Sequence, residues 1–208
     1  MSKPRTKTGL IRIIHKRIKE EGTTCNLNDI DVSEIKDMSY VFFDSDFHGD
    51  ILNWDVSNVE NMSHMFYHSL FNGDISKWNV SNVTNMASMF GETIFDGNIS
   101  KWDVSHVTDM SQMFMNAVFS GNISKWNVSN VTDMSGMFYN SYFKGNISNW
   151  DVSNVTDMSY MFTNSKFNKD ISNWNVDNVK KIQQIFKECP IKDSYKPKPP
   201  NFIKSWIR

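Results

Sequence analysis

Cysteine is scarce in this chain: Cys25 and Cys189 are the only two among 208 residues. A disulfide scaffold is thereby excluded, and two unpaired thiols fit a reducing compartment. Long apolar runs are missing too, since none approaches the ~18 residues needed to span a bilayer. The basic, polar start is followed by an apolar stretch broken by Arg12, His15, Lys16 and Arg17, which does not read as a secretory signal. The tail shows no wall-sorting or anchoring pattern, so the expected location is the cytoplasm, with the cell surface reached only by a non-classical export route. Neither a Gly-rich phosphate loop nor a nucleophile elbow is present. Disorder is also excluded, because 39% of residues are hydrophobic and only 22% are charged.

What is abundant is unusual. Thirteen Met, fifteen Phe and seven Trp accompany an excess of Asn, Ser and Asp, and such a bias points to an internal repeat. Trp54, Trp78, Trp102, Trp126, Trp150 and Trp174 are spaced by 24 residues without a slip, with Ile30 in the same phase one period earlier. Around each the wording W-[DN]-V-S-N-V-[TE]-[DN]-M-[SA]-x-M-F recurs, followed by F-x-[GK]-[DN]-I-[SL]-[KN]. Residues 27–194 read as seven such coils, the last one decaying. A period of 24 falls within the range of solenoid repeats.

Phase assigns the pieces of a coil. Ile75, Trp78 and Val80 stand in an L-x-x-L-x-L arrangement, which predicts a short strand with Trp and Val on its inner face. Val83, Met86, Met89 and Phe90 have helical spacing, with Thr84 or Asn85 as candidate cap. Gly73, Gly97, Gly121 and Gly145 precede the strand and are expected to supply a positive φ. The predicted fold class is therefore an α/β solenoid: a leucine-rich-repeat-like, right-handed stack of about seven coils, each a short strand plus a short helical turn. The Met38, Met62, Met86, Met110, Met134 and Met158 ladder reads as core packing rather than as a soft-metal surface.

The wording of residues 150–162 resembles the signature of the BspA-like leucine-rich-repeat family, in its short Trp- and Met-rich branch. The resemblance covers roughly residues 27–190. It implies a leucine-rich-repeat solenoid that binds partners without catalysis, often as a surface antigen or adhesin.

A solenoid needs covers at its ends. Residues 1–26 supply a basic capping helix and linker: Leu10, Ile11, Ile14 and Ile18 follow helical spacing, and Gly22 is a stop signal. Residues 195–208 form a Pro/Lys-rich tail in which Phe202, Ile203, Trp206 and Ile207 either fold back over the last coil or dock a partner. Coils stacked at about 4.8 Å put Cys25 and Cys189 roughly 30 Å apart, too far for a bridge.

No catalytic residues, cofactor or metal are expected. His64 and His68 are four apart, but no third ligand of fixed spacing accompanies them. His15, His48 and His106 read as surface positions. The Gly-Asp or Gly-Asn steps at 49, 73, 97, 121 and 145 are too widely spaced, and too rich in Asn, for a calcium β-roll.

Two surfaces are candidates for a partner. One is the outward sheet face: Asp55, Lys77, Asn79, Lys101, Asp103, Lys125, Asn127, Asp151 and Asn175. The other is the variable turns: Tyr67, Leu70, Ile94, Met115, Val118, Tyr139, Tyr142 and Tyr160, whose aromatic and apolar character is that of an interface. Charge is segregated. Residues 1–22 carry +5, residues 180–208 carry +6, and residues 23–179 carry −12, all hidden within a formal net charge of −1. The expected function is a monomeric, non-enzymatic protein-binding scaffold whose partner has a basic surface, with no direct nucleic-acid binding and no membrane insertion. The alternatives are an acidic mimic that blocks a basic or nucleic-acid-binding site, and a surface adhesin.

Overall fold

The computed structural model describes residues 2–201 and Trp206. One α-helix, α1 (Lys7–Glu21), precedes the repeats, and one 3-10 turn (Asp193–Tyr195) follows them. Thr6 caps α1 by accepting from the Gly9 N–H at 3.1 Å, and Gly22 ends it at φ 88°. Leu10 and Ile14 are buried in the core, with Ile11, Ile13 and Ile18 partly buried against it. On its flank Lys7 bonds Asp37 at 2.7 Å and Arg17 bonds Asp29 at 2.9 Å, so basic groups of the N-terminal segment are engaged with carboxylates of the first coil.

The repeats stack in register, and each residue lies beside its counterpart 24 positions on. This is a repeat protein, but the pieces of a coil are not those predicted from phase. Among the described residues there is no strand; the coils meet through isolated parallel bridges, from Asp37 with Asn61 to Asp157 with Lys181. The Met–Phe segment is not helical either. In one coil the Met65, Tyr67 and Ser69 N–H groups fold back onto the carbonyls of Met62, His64 and Phe66, each at 3.2 Å, giving three consecutive β-turns. The alternate N–H groups, of Met62, His64, Phe66 and His68, donate to Asn85, Ala87, Met89 and Gly91 in the next coil at 2.8–3.0 Å. The backbone ladder of the stack therefore runs through the segment that reads as helix. The spacing misleads because a chain of i→i+3 turns repeats apolar side chains almost as a helix does. The distinguishing feature is a positive φ at His64 (57°) and His68 (54°), as the third residue of a type II turn requires.

The Trp–Val segment, expected as strand, is joined to its neighbour by side chains instead. The Trp78 indole N–H donates to the Ile51 carbonyl at 3.1 Å, and Asn82 Nδ2 donates to the Ser57 carbonyl at 2.7 Å. Both bonds recur along the stack, for example from Trp126 to Ile99 and from Asn154 to Ser129. Thr84 sits between the two regions and donates both its N–H and its hydroxyl to the Glu60 carbonyl, so it is a cross-coil tie and not a helix cap.

Asn, Asp and Ser make the corners. Within one coil Asp74, Asn79 and Asn85 each accept, through Oδ1, the N–H two residues on. These are Asx turns, which bend the chain with a local side-chain acceptor. Asn and Asp interchange along these rows because both offer that oxygen, which accounts for the Gly-Asp and Gly-Asn steps. The glycines of those steps have no positive φ, contrary to expectation. They are small because a Cβ on Gly97, Gly121 or Gly145 would sit 2.5–2.7 Å from the ring of Phe95, Phe119 or Phe143.

The core is a set of ladders. The Met38 to Met158 row is buried, as are two Phe rows, one beginning at Phe42 and the other at Phe47. Within a coil the two rows stack face to face, Phe90 on Phe95 at 4.2 Å; between coils, Trp78 lies parallel to Trp102 at 6.5 Å. At the far end Trp206 packs edge-on against Phe186 at 5.1 Å and donates to the Pro197 carbonyl at 2.7 Å, so this part of the tail folds back. Phe202, Ile203 and Ile207 lie outside the described residues. Cys25 and Cys189 are free thiols.

The Trp row gives a direct test. Trp102→Ala removes a ring that is 4% exposed and leaves the Ile75 carbonyl with the Trp78 N–H as its one donor, so urea unfolding should show a loss of about 3–5 kcal/mol. Trp102→Phe keeps most of the ring and loses one of the two bonds to that carbonyl, for about 0.5–1.5 kcal/mol. Equal losses from the two variants would show that the indole N–H carries all of the effect.

Candidate functional site

The residues proposed for an outward sheet face do not form a sheet. Asp55, Asn79, Asp103, Asn127, Asp151 and Asn175 are exposed but occupied, each closing its own Asx turn at 3.0–3.2 Å. Lys77, Lys101 and Lys125 are exposed beside them. This side of the stack is uniform from coil to coil and offers little that is unique.

The bonding of these carboxylates shows in their acidity. Asp31 is drawn down to about 2 by the Ser33 hydroxyl and N–H, with Lys3 helping. The Ser105 hydroxyl and N–H lower Asp103, and those of Ser153 lower Asp151. In Asp157, burial alone would raise the pKa, but the Ser159 bonds and Lys181 outweigh it and the net shift is down.

The variable turns form a different surface. Three rows, three residues apart in each coil, run along the stack. The first row holds Tyr40, His64, Ser88, Gln112, Gly136 and Tyr160; the second holds Phe43, Tyr67, Gly91, Met115 and Tyr139. The third holds Leu70, Ile94, Val118 and Tyr142, which are 48%, 49%, 43% and 61% exposed. Tyr67, Met115 and Tyr139 are half-buried, and Tyr40, Phe43 and Tyr160 are exposed. Rings in one row stack on one another: Tyr40 on His64 at 4.6 Å and 8°, Phe43 on Tyr67 at 5.5 Å and 9°. At this shared positive φ, Tyr40, Gln112 and Tyr160 are exposed, His64 is half-buried and the small Ser88 is buried.

Polar groups edge the ridge. His68 Nδ1 meets Asp44 Oδ1 at 2.7 Å, and Asn116 bonds Glu92 at 3.3 Å. Burial lowers the His64 pKa, and its Nδ1 has no hydrogen-bond partner. His64 and His68 are not brought together as ligands: one stacks on Tyr40 and the other faces Asp44. Among the described residues, no three His, Cys, Asp or Glu side chains converge, and no helix is long and apolar enough to cross a membrane.

Reading the sequence alone missed two members of this surface, Phe43 and Gly136. Phe43 falls in the first coil, where Ile30 replaces the Trp. Gly136 has one signal in the sequence: it is the only glycine in a row otherwise filled by Tyr, His, Ser and Gln. It opens a cavity of about 430 Å³ between Gln112 and Tyr160.

The geometry defines the chain as a repeat protein in which Asx corners and a peptide ladder hold a fixed frame beneath a variable ridge. A family model described as "Mycoplasma protein of unknown function, DUF285" matches residues 14–118 and 116–194, and the chain belongs to that family. No curated protein and no solved structure matches it.

The carboxylate bonds predict how the stack responds to acid. A folded pKa below the unfolded value near 3.9 stabilises the native state above pH ~4 and ceases to do so as pH falls through the folded pKa. The melting temperature should therefore fall steeply between pH 4 and about 2, where Asp31 titrates. Asp103→Asn with Asp151→Asn copies Asn79 and Asn127, so the double variant should melt like the parent at pH 7 and lose less at pH 3. Parallel melting curves for the two proteins would contradict the Asx origin of this sensitivity.

Proposed function

We propose that the chain is a non-enzymatic protein-interaction scaffold of the BspA-like leucine-rich-repeat type, acting through the ridge of variable turns. The observation that carries this reading is the third row. Leu70, Ile94, Val118 and Tyr142 are large, apolar and nearly half exposed or more, in register along four coils of a polar protein. Such a contiguous apolar strip marks a contact surface. A binding role without catalysis is supported by the use of the polar side chains: the Ser, Asn and Asp groups recur in every coil and are taken up in turns.

The partner surface is basic. Residues 23–179 carry −12, and Lys3, Lys7 and Arg17 are engaged with Asp31, Asp37 and Asp29 of the first coil. An acidic stack that carries an apolar strip attracts a basic partner and holds it by burial. The same charge supports a second reading, in which the stack mimics an acidic ligand and blocks a basic site.

Capture from cell lysate on the immobilised full chain separates the two readings. Ile94→Ser with Val118→Ser should weaken a ridge-bound partner about tenfold or more at both low and high salt. Lys101→Ala with Lys125→Ala should leave it unchanged. A partner released by salt alone, and indifferent to Ile94 and Val118, would favour the mimic and overturn the ridge.

A further inference from the structure

We propose that the notch at Gly136 is a binding site for a planar ring with a hydrogen-bonding edge, a tyrosine or tryptophan side chain of the bound protein, inserted as the missing rung of the first row. The proposal rests on the protein-binding reading above and names the group that the ridge would take.

Gly136 is not required by its backbone. Its φ is 61°, and Tyr40 and Tyr160 adopt 62° and 60° at the same position of their coils. A Cβ there would meet Gln112 Cγ at 3.2 Å and Tyr139 Cβ at 4.0 Å, contacts that a flexible glutamine can yield to. What glycine removes is the side chain. The result is a cavity of about 430 Å³ walled by Gln112, Met115, Tyr139 and Tyr160. Two rungs separate Gln112 from Tyr160, roughly 10 Å at the usual spacing of stacked coils, which leaves room for one ring between them. Elsewhere in the same row, ring on ring is the observed arrangement, Tyr40 on His64 at 4.6 Å and nearly parallel.

The floor supplies the polar partner. Ser159 lines the notch and is 6% exposed; its hydroxyl helps to lower the Asp157 pKa, and its oxygen accepts from no donor. In the equivalent place in the first coil, Ser39 Oγ accepts from Lys7 at 2.8 Å. A buried oxygen without a donor forgoes a hydrogen bond, and a phenol O–H or an indole N–H reaching down between Gln112 and Tyr160 would supply one. Asp157 is held by Lys181 at 3.1 Å and by the Ser159 N–H at 2.9 Å, which fixes the floor around the hydroxyl. The notch opens among Met115, Tyr139 and Tyr160, so it is continuous with the ridge. That continuity argues for a side chain delivered by a protein rather than a free ring.

The test uses the full chain and the probes N-acetyl-tyrosinamide and N-acetyl-tryptophanamide, followed by NMR. Saturable shifts at Met115, Gly136, Ser159 and Tyr160 are expected, with a Kd on the order of 1 mM for a fragment of this size. Gly136→Tyr supplies the rung from within, as Tyr160 does, and should abolish the shifts while leaving the melting curve unchanged. Gly136→Ser, which copies Ser88, should still fold and retain weakened binding. Ser159→Ala should weaken the probes severalfold, and N-acetyl-leucinamide should not bind. Absence of saturable shifts in the parent protein, equal shifts in Gly136→Tyr, or equal binding of the leucine probe would each overturn the proposal. Tighter binding of free adenosine at the same residues would overturn the side-chain source. Because these readouts need no partner, their failure leaves the lysate capture on the ridge to be judged separately.

Discussion

Everything in the stack depends on one alternation of peptide planes. In each Met–Phe segment every second N–H turns inward to close a β-turn, and the others point to the next coil. Because a peptide plane is rigid, the carbonyls behind those outward N–H groups point the opposite way, toward the previous coil. Each middle coil therefore both donates and accepts in this segment, with one sense throughout. The Trp–Val side is tied in the opposite direction, with the indole reaching back 27 positions and the Asn amide reaching back 25. These offsets and the forward peptide bonds hold together only at a period of 24. A single inserted residue would break all of them at once, which explains the absence of any slip across six Trp residues.

This frame divides the residues of a coil by duty. Met, Phe, Trp, Ile and Val fill the interior. Asn, Asp and Ser close the corners, where the requirement is one acceptor oxygen and charge is optional. That freedom lets the repeat become acidic without changing shape: Asp103 and Asn127 do the same work, yet only Asp103 adds to the −12. The charge of the stack is thus a property that can drift over an unaltered backbone, and its sign on this chain bears on which partners approach.

The period, the buried rows and the N-terminal helix could be read in the sequence, because burial leaves apolar residues at fixed intervals. The conformation of a coil could not. Val83, Met86, Met89 and Phe90 fit a helix and a run of turns equally well, and the residues that decide between them, His64 or Gln112 at positive φ, carry none of the Gly signature that usually announces it. The glycines that are present misled for the converse reason: Gly97 and Gly121 answer to the bulk of a Phe ring, not to φ. At the candidate site, the exposed row at Leu70, Ile94, Val118 and Tyr142 was visible as internal variation, while Gly136 stood out only as the one glycine of its row, and the notch beside it depends on neighbours two coils apart.

The left-handed turn residues explain why variation gathers where it does. A side chain at positive φ has already met its conformational cost in the backbone, and the ladder bonds on either side hold that backbone regardless of what the side chain is. The Met, Phe and Trp rows have no such latitude, because each ring or thioether fits between its neighbours 24 residues away. The outer rows touch one another only along the ridge, as Tyr40 touches His64, so a change there alters a contact surface and leaves the fold intact. A protein built this way can change its outer surface by substituting first-row or third-row residues one at a time. At Gly136 a side chain is replaced by nothing on the same backbone, which leaves a notch between Gln112 and Tyr160.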